Sequence, residues 1–442
     1  MPRRKRGVVL TAEGLKKFQE VKHEFEFQNN FGKRFTLEEL SQRVNLDAIT
    51  IRKVLNCTKG VDKRTLESLF LGFHIDLCES YYSVPDCNRR QDLREAVCVS
   101  AFHGRRQELN ILDKWLSNDC SRLVTIIGIG GVGKTCLSSK LAELMQDKFD
   151  CIIWRSLRDA PSIDTLLISL IQFLSEEKET EIELPEKTSD KISLLIDYFR
   201  DLRCLVVFDN VDTVLRGGSR AGQYLSGYEE YGELFERVGE LDHQSCLLLT
   251  TREKPKEVAF LEGETLPVRT LRLGGLNETE GKEILKSKGL KGSENEFSTL
   301  IKLYTGNALA LKIVATTIKD LFNGHISKFL QQETTVFGEI RDLLEQQFER
   351  LSDLEKDLMY WLAINQEPVT LYELRKDLVT SVLQLNLLET LESLERRSLM
   401  EQNIVGFTLQ PVVIEYVTSI RCQIPIAPLY SSREILVSTT KG

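Results

Sequence analysis

The residues with the clearest chemistry are Gly128, Gly130, Gly131, Gly133, Lys134 and Thr135, in the run Gly-Ile-Gly-Gly-Val-Gly-Lys-Thr. Glycines at this spacing let a backbone curl until successive N–H groups point into one concavity, which suits a polyphosphate. Lys134 can reach the β and γ phosphates, and the Thr135 hydroxyl can take one position around Mg2+. Val132 and Cys136 complete the set of candidate phosphate contacts. Further along, Cys204-Leu-Val-Val-Phe-Asp209-Asn-Val-Asp212 is an apolar run closed by an acid, and Asp209 is the candidate second Mg2+ ligand. Arg252 follows the apolar run 245–250, where it could bond a γ-phosphate and lose that bond in the diphosphate state. Lys134, Asp209 and Arg252 are thus the candidate catalytic residues.

Each of these side chains needs an element to carry it. Leu123, Val124, Ile126 and Ile127 lead into the glycines, and Leu137, Leu141, Ala142 and Leu144 follow at helical spacing, giving strand, loop and helix. The start of that helix adds the positive end of its dipole to the concavity. Residues 151–154 read as a short buried strand, and 163–174 and 192–200 as helices. Strands alternating with helices from 123 to about 273 imply a parallel sheet covered on both faces, with ligands at the carboxyl ends of the strands. The stretch 216–232, rich in Gly, Ser and Tyr, reads as a loose surface loop in preference to a mobile segment over the nucleotide.

Beyond residue 273 the strand signals fade. Helices open at 276–281, 297–304 and 308–321, then at 343–351, 353–364, 371–378 and 382–396. Two short strands near 399–402 and 406–409 and a helix over 412–421 suggest a winged helix. The predicted fold is therefore multidomain α/β plus α. A helical domain spans 1–75, a linker 76–98, the nucleotide-binding domain 99–273, a helical bundle 274–340, a winged helix 341–422 and a disordered tail 423–442.

Charge is uneven along the chain. Residues 1–75 carry 15 Lys and Arg against 9 Asp and Glu, or +6, so a net of -8 leaves -14 elsewhere. A basic head on an acidic body suits contact with a polyanion. Here a helix is predicted over 12–28. Thr36 and Glu39 then form a capping box for a helix over 37–43, Asp47 caps another over 48–55, and a third covers 63–73. Two short helices with a tight turn look like a helix-turn-helix, with Thr50, Arg52 and Lys53 facing outward. Such a unit binds duplex DNA through residues 36–73, or keeps the shape as a protein-contact module.

No apolar run approaches the roughly 18 residues of a membrane span, and no signal-peptide core follows the basic start, so a cytoplasmic protein without membrane contact is expected. The ten cysteines show no C-x-x-C pair and read as reduced.

Taken in order, these motifs resemble the STAND-class signalling NTPases of the NB-ARC type over about residues 99–422. Phe102, Gly104 and Arg105, with Glu108 and Leu109, match the family's entry motif, which implies adenine contacts. The phosphate loop 128–135 matches fully, 205–212 matches the Mg2+ strand, and Thr250-Thr251-Arg252 matches the sensor arginine. Residues 306–311 match the Gly-x-Pro-Leu-Ala-Leu motif, with Ala308 in place of proline. Phe407-Thr-Leu-Gln410-Pro411 aligns with the Met-His-Asp signature, with Gln410 where histidine touches the β-phosphate, which implies a weaker ADP lock. The N-terminal segment looks like the effector or adaptor modules that precede this core in filamentous bacterial and cyanobacterial members.

The resemblance implies ATP or ADP with Mg2+, and a switch whose nucleotide state controls opening, self-association in the ATP state and effector output. Asn210 stands where the family commonly has a second acid and cannot take a proton from water, which implies at most slow hydrolysis. A nucleotide-gated DNA-binding transcription regulator is the alternative, and a working ATPase motor a third. Relatives continue into a sensing repeat array, and no period of about 30 to 45 residues is present. Either the chain is cut after the winged helix or an unidentified protein partner does the sensing.

Overall fold

The structure is a computed structural model that describes residues 7–29, 35–44, 46–47, 50–51, 54–55, 61–83, 90–99, 102–176, 184–332, 335–365, 367–377, 381–402 and 405–421. The chain divides into two compact units, residues 1–89 and 90–442.

The first unit packs helices Ala12–Asn29, Leu37–Val44 and Lys63–Leu71 around Phe18, Leu40, Val44, Leu66, Leu69, Phe70 and Phe73, and pairs the short strands β1 (Val9–Leu10) and β2 (Tyr82–Ser83) antiparallel. The expected capping box forms: Thr36 N donates to Glu39 and Glu39 N to the Thr36 hydroxyl. Asp47 likewise accepts from Thr50 N at 2.8 Å. Arg43 is exposed, yet its charge is engaged within the unit. Its guanidinium lies 4.6 Å from the Phe25 ring centre and 5.1 Å from that of Phe73, and its Nε donates to Gly72 O. Arg52 and Lys53, two of the three side chains proposed to read DNA, lie outside the described residues, as does the tail 423–442.

The second unit is built on six parallel strands in the order β3-β5-β6-β7-β4-β8. They are β3 (Arg90–Asp92), β4 (Leu123–Ile127), β5 (Cys151–Ser156), β6 (Cys204–Asp209), β7 (Cys246–Thr251) and β8 (Val268–Arg272). Every residue of β4, β6 and β7 is buried, the pattern of strands covered on both faces. Alternation then sorts them: Val206, Phe208, Leu247 and Leu249 face helices Ile163–Leu174, Thr188–Asp201 and Glu230–Glu240, while Leu205, Val207, Leu248, Val124 and Ile126 face helices Arg106–Ser117 and Lys134–Leu144.

Two sequence expectations need correction. Residues 90–92, inside the stretch read as a linker, form the edge strand β3. A three-residue polar strand has no periodicity to detect, and it is fixed instead by Asp92, which pairs with Arg155 at 2.8 Å from β5. The segment 216–232 is not a loose loop. Ala221, Tyr224 and Tyr231 are buried, Leu215 bridges Tyr224, and the Ala221 amide donates to Ser393 of the C-terminal helices. Its Gly and Ser content serves close packing against a neighbour far away in sequence.

After β8, helices Glu278–Ser287, Glu294–Leu303 and Ala308–Phe322 begin the C-terminal half. Helices Gly338–Phe348, Asp353–Asn365, Leu371–Asp377, Ser381–Arg396 and Pro411–Arg421 follow, with β9 (Glu401–Gln402) and β10 (Phe407–Thr408) as an antiparallel pair. One hydrophobic cluster runs from Leu285 to Val417. No helix among the described residues is long and apolar enough to cross a membrane.

Candidate functional site

The glycine loop leaves β4 and enters helix Lys134–Leu144 with Gly131 at φ +78° and Gly133 at φ +109°, backbone positions that glycine adopts without strain. Lys134 folds back under the loop. Its Nζ donates to Gly128 O at 2.7 Å and Ile129 O at 3.0 Å. Burial pulls its ammonium down to about 8, with Asp212 and Asp209 pulling up and Arg252 pushing down.

Adjacent strand ends bring the other polar residues to the loop. Asp209, the last residue of β6, accepts from the Thr135 hydroxyl at 2.8 Å and from the Thr250 hydroxyl of β7 at 2.5 Å. Burial raises the Asp209 carboxyl above the usual range, against the pull of the Thr250 and Thr135 hydroxyls and Lys134. Asn210 takes φ +62°, and its amide donates to Asp209 Oδ2 at 3.3 Å. Thr135 and Asp209 offer two converging oxygens, which suits a hard cation. Among the described residues no three His, Cys, Asp or Glu converge as a metal centre. Phosphate oxygens and water would have to complete the shell, the usual arrangement for Mg2+.

Arg252 lies at the end of β7, and its partner is Asp212. Asp212 Oδ1 accepts from the Arg252 amide at 3.1 Å, and Oδ2 is 3.7 Å from Nε. Asp212 was legible only as part of the Mg2+ strand motif, and its pairing with Arg252 was not foreseen. Glu253, the next residue, is also buried. It accepts from Gly222 N at 2.6 Å, from Arg397 at 2.6 Å and from Arg350 at 3.2 Å. Arg397 continues to Glu355 at 3.0 Å and to Ser219 O at 2.7 Å. Burial pushes the Glu253 carboxyl up, opposed by Arg397 and Arg350. The strand end that carries Arg252 is therefore bolted to the C-terminal helices.

The entry motif behaves as a brace. Arg105 is buried with φ +61°; it donates to Glu108 at 2.7 Å, to Gly274 O at 2.7 Å and to Val132 O at 3.1 Å, while its amide meets Glu280. One side chain thus joins the phosphate loop to the segment after β8. Phe102 packs against the cluster beneath the loop with Leu109 and Ile129. Cys136 is an exposed thiol on the first turn of the helix.

Asn307 is the functional residue that sequence reading missed. Ala308, the candidate beside it, is half-buried and carries no polar group. Asn307 Nδ2 donates to Gly130 O at 2.9 Å while its Oδ1 caps helix Ala308–Phe322 by accepting from Leu309 N and Ala310 N. Leu309 N also donates to Gly131 O at 3.0 Å. The signal was present as an N-cap residue after Gly306.

Between these parts lies a cavity of about 450 Å3, walled by Ile129 and Val132 of the loop, residues 272–275, Thr305 and Asn307, and Met400, Glu401 and Gln410. Gln410 accepts from the Thr305 hydroxyl at 3.0 Å and donates to Glu401 at 3.1 Å. The volume suits a small-molecule ligand, and it opens directly beside the glycine loop.

Residues 105–216 match the NB-ARC domain family. An uncharacterised WD repeat-containing protein of Nostoc sp. is 48% identical over 340 residues, covering 74% of this chain and 27% of its own length. The disease resistance-like protein DSC1 of Arabidopsis thaliana is 23% identical, covering 59% of this chain and 20% of its own length. The chain thus spans about a quarter of the length of these curated relatives. A Walker-type ATPase of Pyrococcus abyssi shares the fold, with a TM-score of 0.51 at 19% identity over 74% of this chain and 99% of that one. Motif, sheet order and family match agree: the chain carries an NB-ARC domain with a P-loop NTPase fold, which implies nucleotide binding.

Proposed function

We propose that the chain is an ATP- and ADP-operated signalling switch, in which the bound nucleotide decides how the sheet domain and the C-terminal helices are arranged. One observation carries this reading. The glycine loop is gripped from three sides: by Asp209 of the sheet through Thr135 at the helix start, by Asn307 and Leu309 at the start of a C-terminal helix, and by Leu343 and Gln347, which face Gly130 from helix Gly338–Phe348. A ligand in the loop must change the free energy of all three contacts, and only such a difference between nucleotides can shift an equilibrium between shapes.

Roles follow from chemistry. The loop amides and Lys134 hold the phosphates, and Thr135 and Asp209 hold Mg2+. The adenosine end takes the 450 Å3 cavity, against Val132 and residues 272–275 and within reach of Gln410. Bound Mg2+ supplies charge neutralisation between the phosphates. Arg252 alternates between Asp212 and a γ-phosphate. Asn210, with its amide turned to Asp209, offers no base for an attacking water, so hydrolysis is slow and each bound state is long-lived. A long-lived triphosphate state frees surfaces for self-association and for the N-terminal unit to act.

The test is the identity of the copurifying nucleotide together with the mass by light scattering in ADP and in a non-hydrolysable ATP analogue. ADP on the purified monomer and a larger species with the analogue are expected. Equal masses with both nucleotides bound would defeat the switch.

A further inference from the structure

The open face of Gly130 is covered from the other lobe. A β-carbon placed on Gly130 would lie 3.0 Å from Leu343 Cδ1, 3.2 Å from Gln347 Nε2 and 3.5 Å from Arg252 Cζ. Two C-terminal side chains and the arginine of β7 therefore converge on one point. Gln347 is buried, and its amide makes only a long bond, 3.3 Å, to Leu343 O of its own helix. Such a weakly satisfied buried amide costs stability, so its placement calls for a reason.

The point they fill has a chemical meaning. Lys134 Nζ lies on the carbonyls of Gly128 and Ile129, the two residues before Gly130. Arg252 reaches the same face of Gly130 as Leu343 and Gln347. A phosphoryl group held at once by Lys134 and Arg252 has to rest against the Gly130 face, and that is the position of the third phosphate, since the diphosphate is already held by the loop and the helix start. Leu343 and Gln347 are in that position.

Resting on the nucleotide reading above, we infer that Leu343 and Gln347 are the specificity-determining residues that distinguish a nucleoside triphosphate from a diphosphate. In this arrangement they fill the space of the third phosphate, so the diphosphate is accepted and a triphosphate binds only as helix Gly338–Phe348 withdraws. Arg350, just past that helix, makes withdrawal consequential: it donates to Asp212 O at 3.0 Å and to Glu253 at 3.2 Å, the two residues around Arg252. Moving the helix therefore disturbs the partners of the arginine that would take up the γ-phosphate.

The experiment is competition binding on the full chain, with a fluorescent ADP displaced by ADP or by the β,γ-imido analogue of ATP. Wild type should prefer ADP. Leu343→Ala with Gln347→Ala should raise affinity for the analogue by about tenfold while ADP affinity stays within about twofold. Leu343→Ala alone, which touches no polar group, should move the same way by less. Gln347→Glu, equal in size but charged, should weaken the analogue further and spare ADP. An unmoved ratio with normal ADP binding overturns this inference alone. A weaker analogue in the double variant overturns it too, because Gln347 would then be a phosphate ligand and no obstacle. Failure of wild type to bind either nucleotide removes the nucleotide reading and this inference together.

Discussion

Glu253 and Arg397 meet at 2.6 Å across 144 residues of chain, with both side chains almost wholly withdrawn from solvent. Removing one member of such a pair leaves an uncompensated charge in the interior. Arg397→Leu strips Glu253 and Glu355 of a shared partner, and a loss of about 3 kcal/mol in denaturant unfolding is expected. A change under about 1 kcal/mol would mean that Arg350 and water fully replace it.

Asn307 joins two tasks, and two variants separate them. Asn307→Ser keeps an N-cap oxygen but loses the bond to Gly130 O, whereas Asn307→Ala loses both. The alanine variant should fall below the serine variant by about 1 kcal/mol in thermal or denaturant unfolding, the usual worth of a cap. Equal values would show that the cap contributes nothing here.

Arg105→Lys keeps the charge and removes the fork that spans Val132 O and Gly274 O. The melting temperature of nucleotide-free protein should drop by several degrees, on the order of 2 kcal/mol for lost buried bonds to a charged donor. If the drop appears only with nucleotide present, Arg105 acts on the ligand and is not a brace.

Lys134 gives a pH signature. Its amine is pulled down to about 8 by burial, and phosphate oxygens would pull it back up. Above pH 8 the free protein holds this amine neutral, so binding a polyphosphate must take up a proton. Affinity should fall as pH rises from about 8 toward 10, by up to about tenfold per unit. Calorimetry in buffers of different ionisation enthalpy checks the uptake. The sign for stability is opposite: with the folded value below the unfolded one, the unliganded protein is more stable above this window than below it.

The sheet and its loop were legible in the sequence because they rest on local rules: continuous apolar runs for doubly covered strands, glycines for the nest, and an acid or arginine at a strand end. Lys134, Thr135, Asp209 and Arg252 do converge. What was not legible depends on distant partners. Asp212 and Glu253 look like ordinary acids until Arg252, Arg350 and Arg397 arrive beside them. The segment 216–232 looked loose because its partners, Ser393 and Arg397, lie about 170 residues away. Strand β3 is too short and too polar for any periodicity, and what fixes it is distant in sequence: the ladder with β5, the Asp92–Arg155 pair and the bonds of Arg90 to the Phe173 and Leu174 carbonyls.

A methyl at position 130 would come within 3.0 Å of Leu343 and 3.2 Å of Gln347, so both side chains would have to give way by a few tenths of an ångström. One extra methyl there would press like a shim on the C-terminal helix while leaving Lys134 and the Thr135 and Asp209 oxygens untouched. The seam between loop and lobe is thus fitted to the width of a single missing carbon.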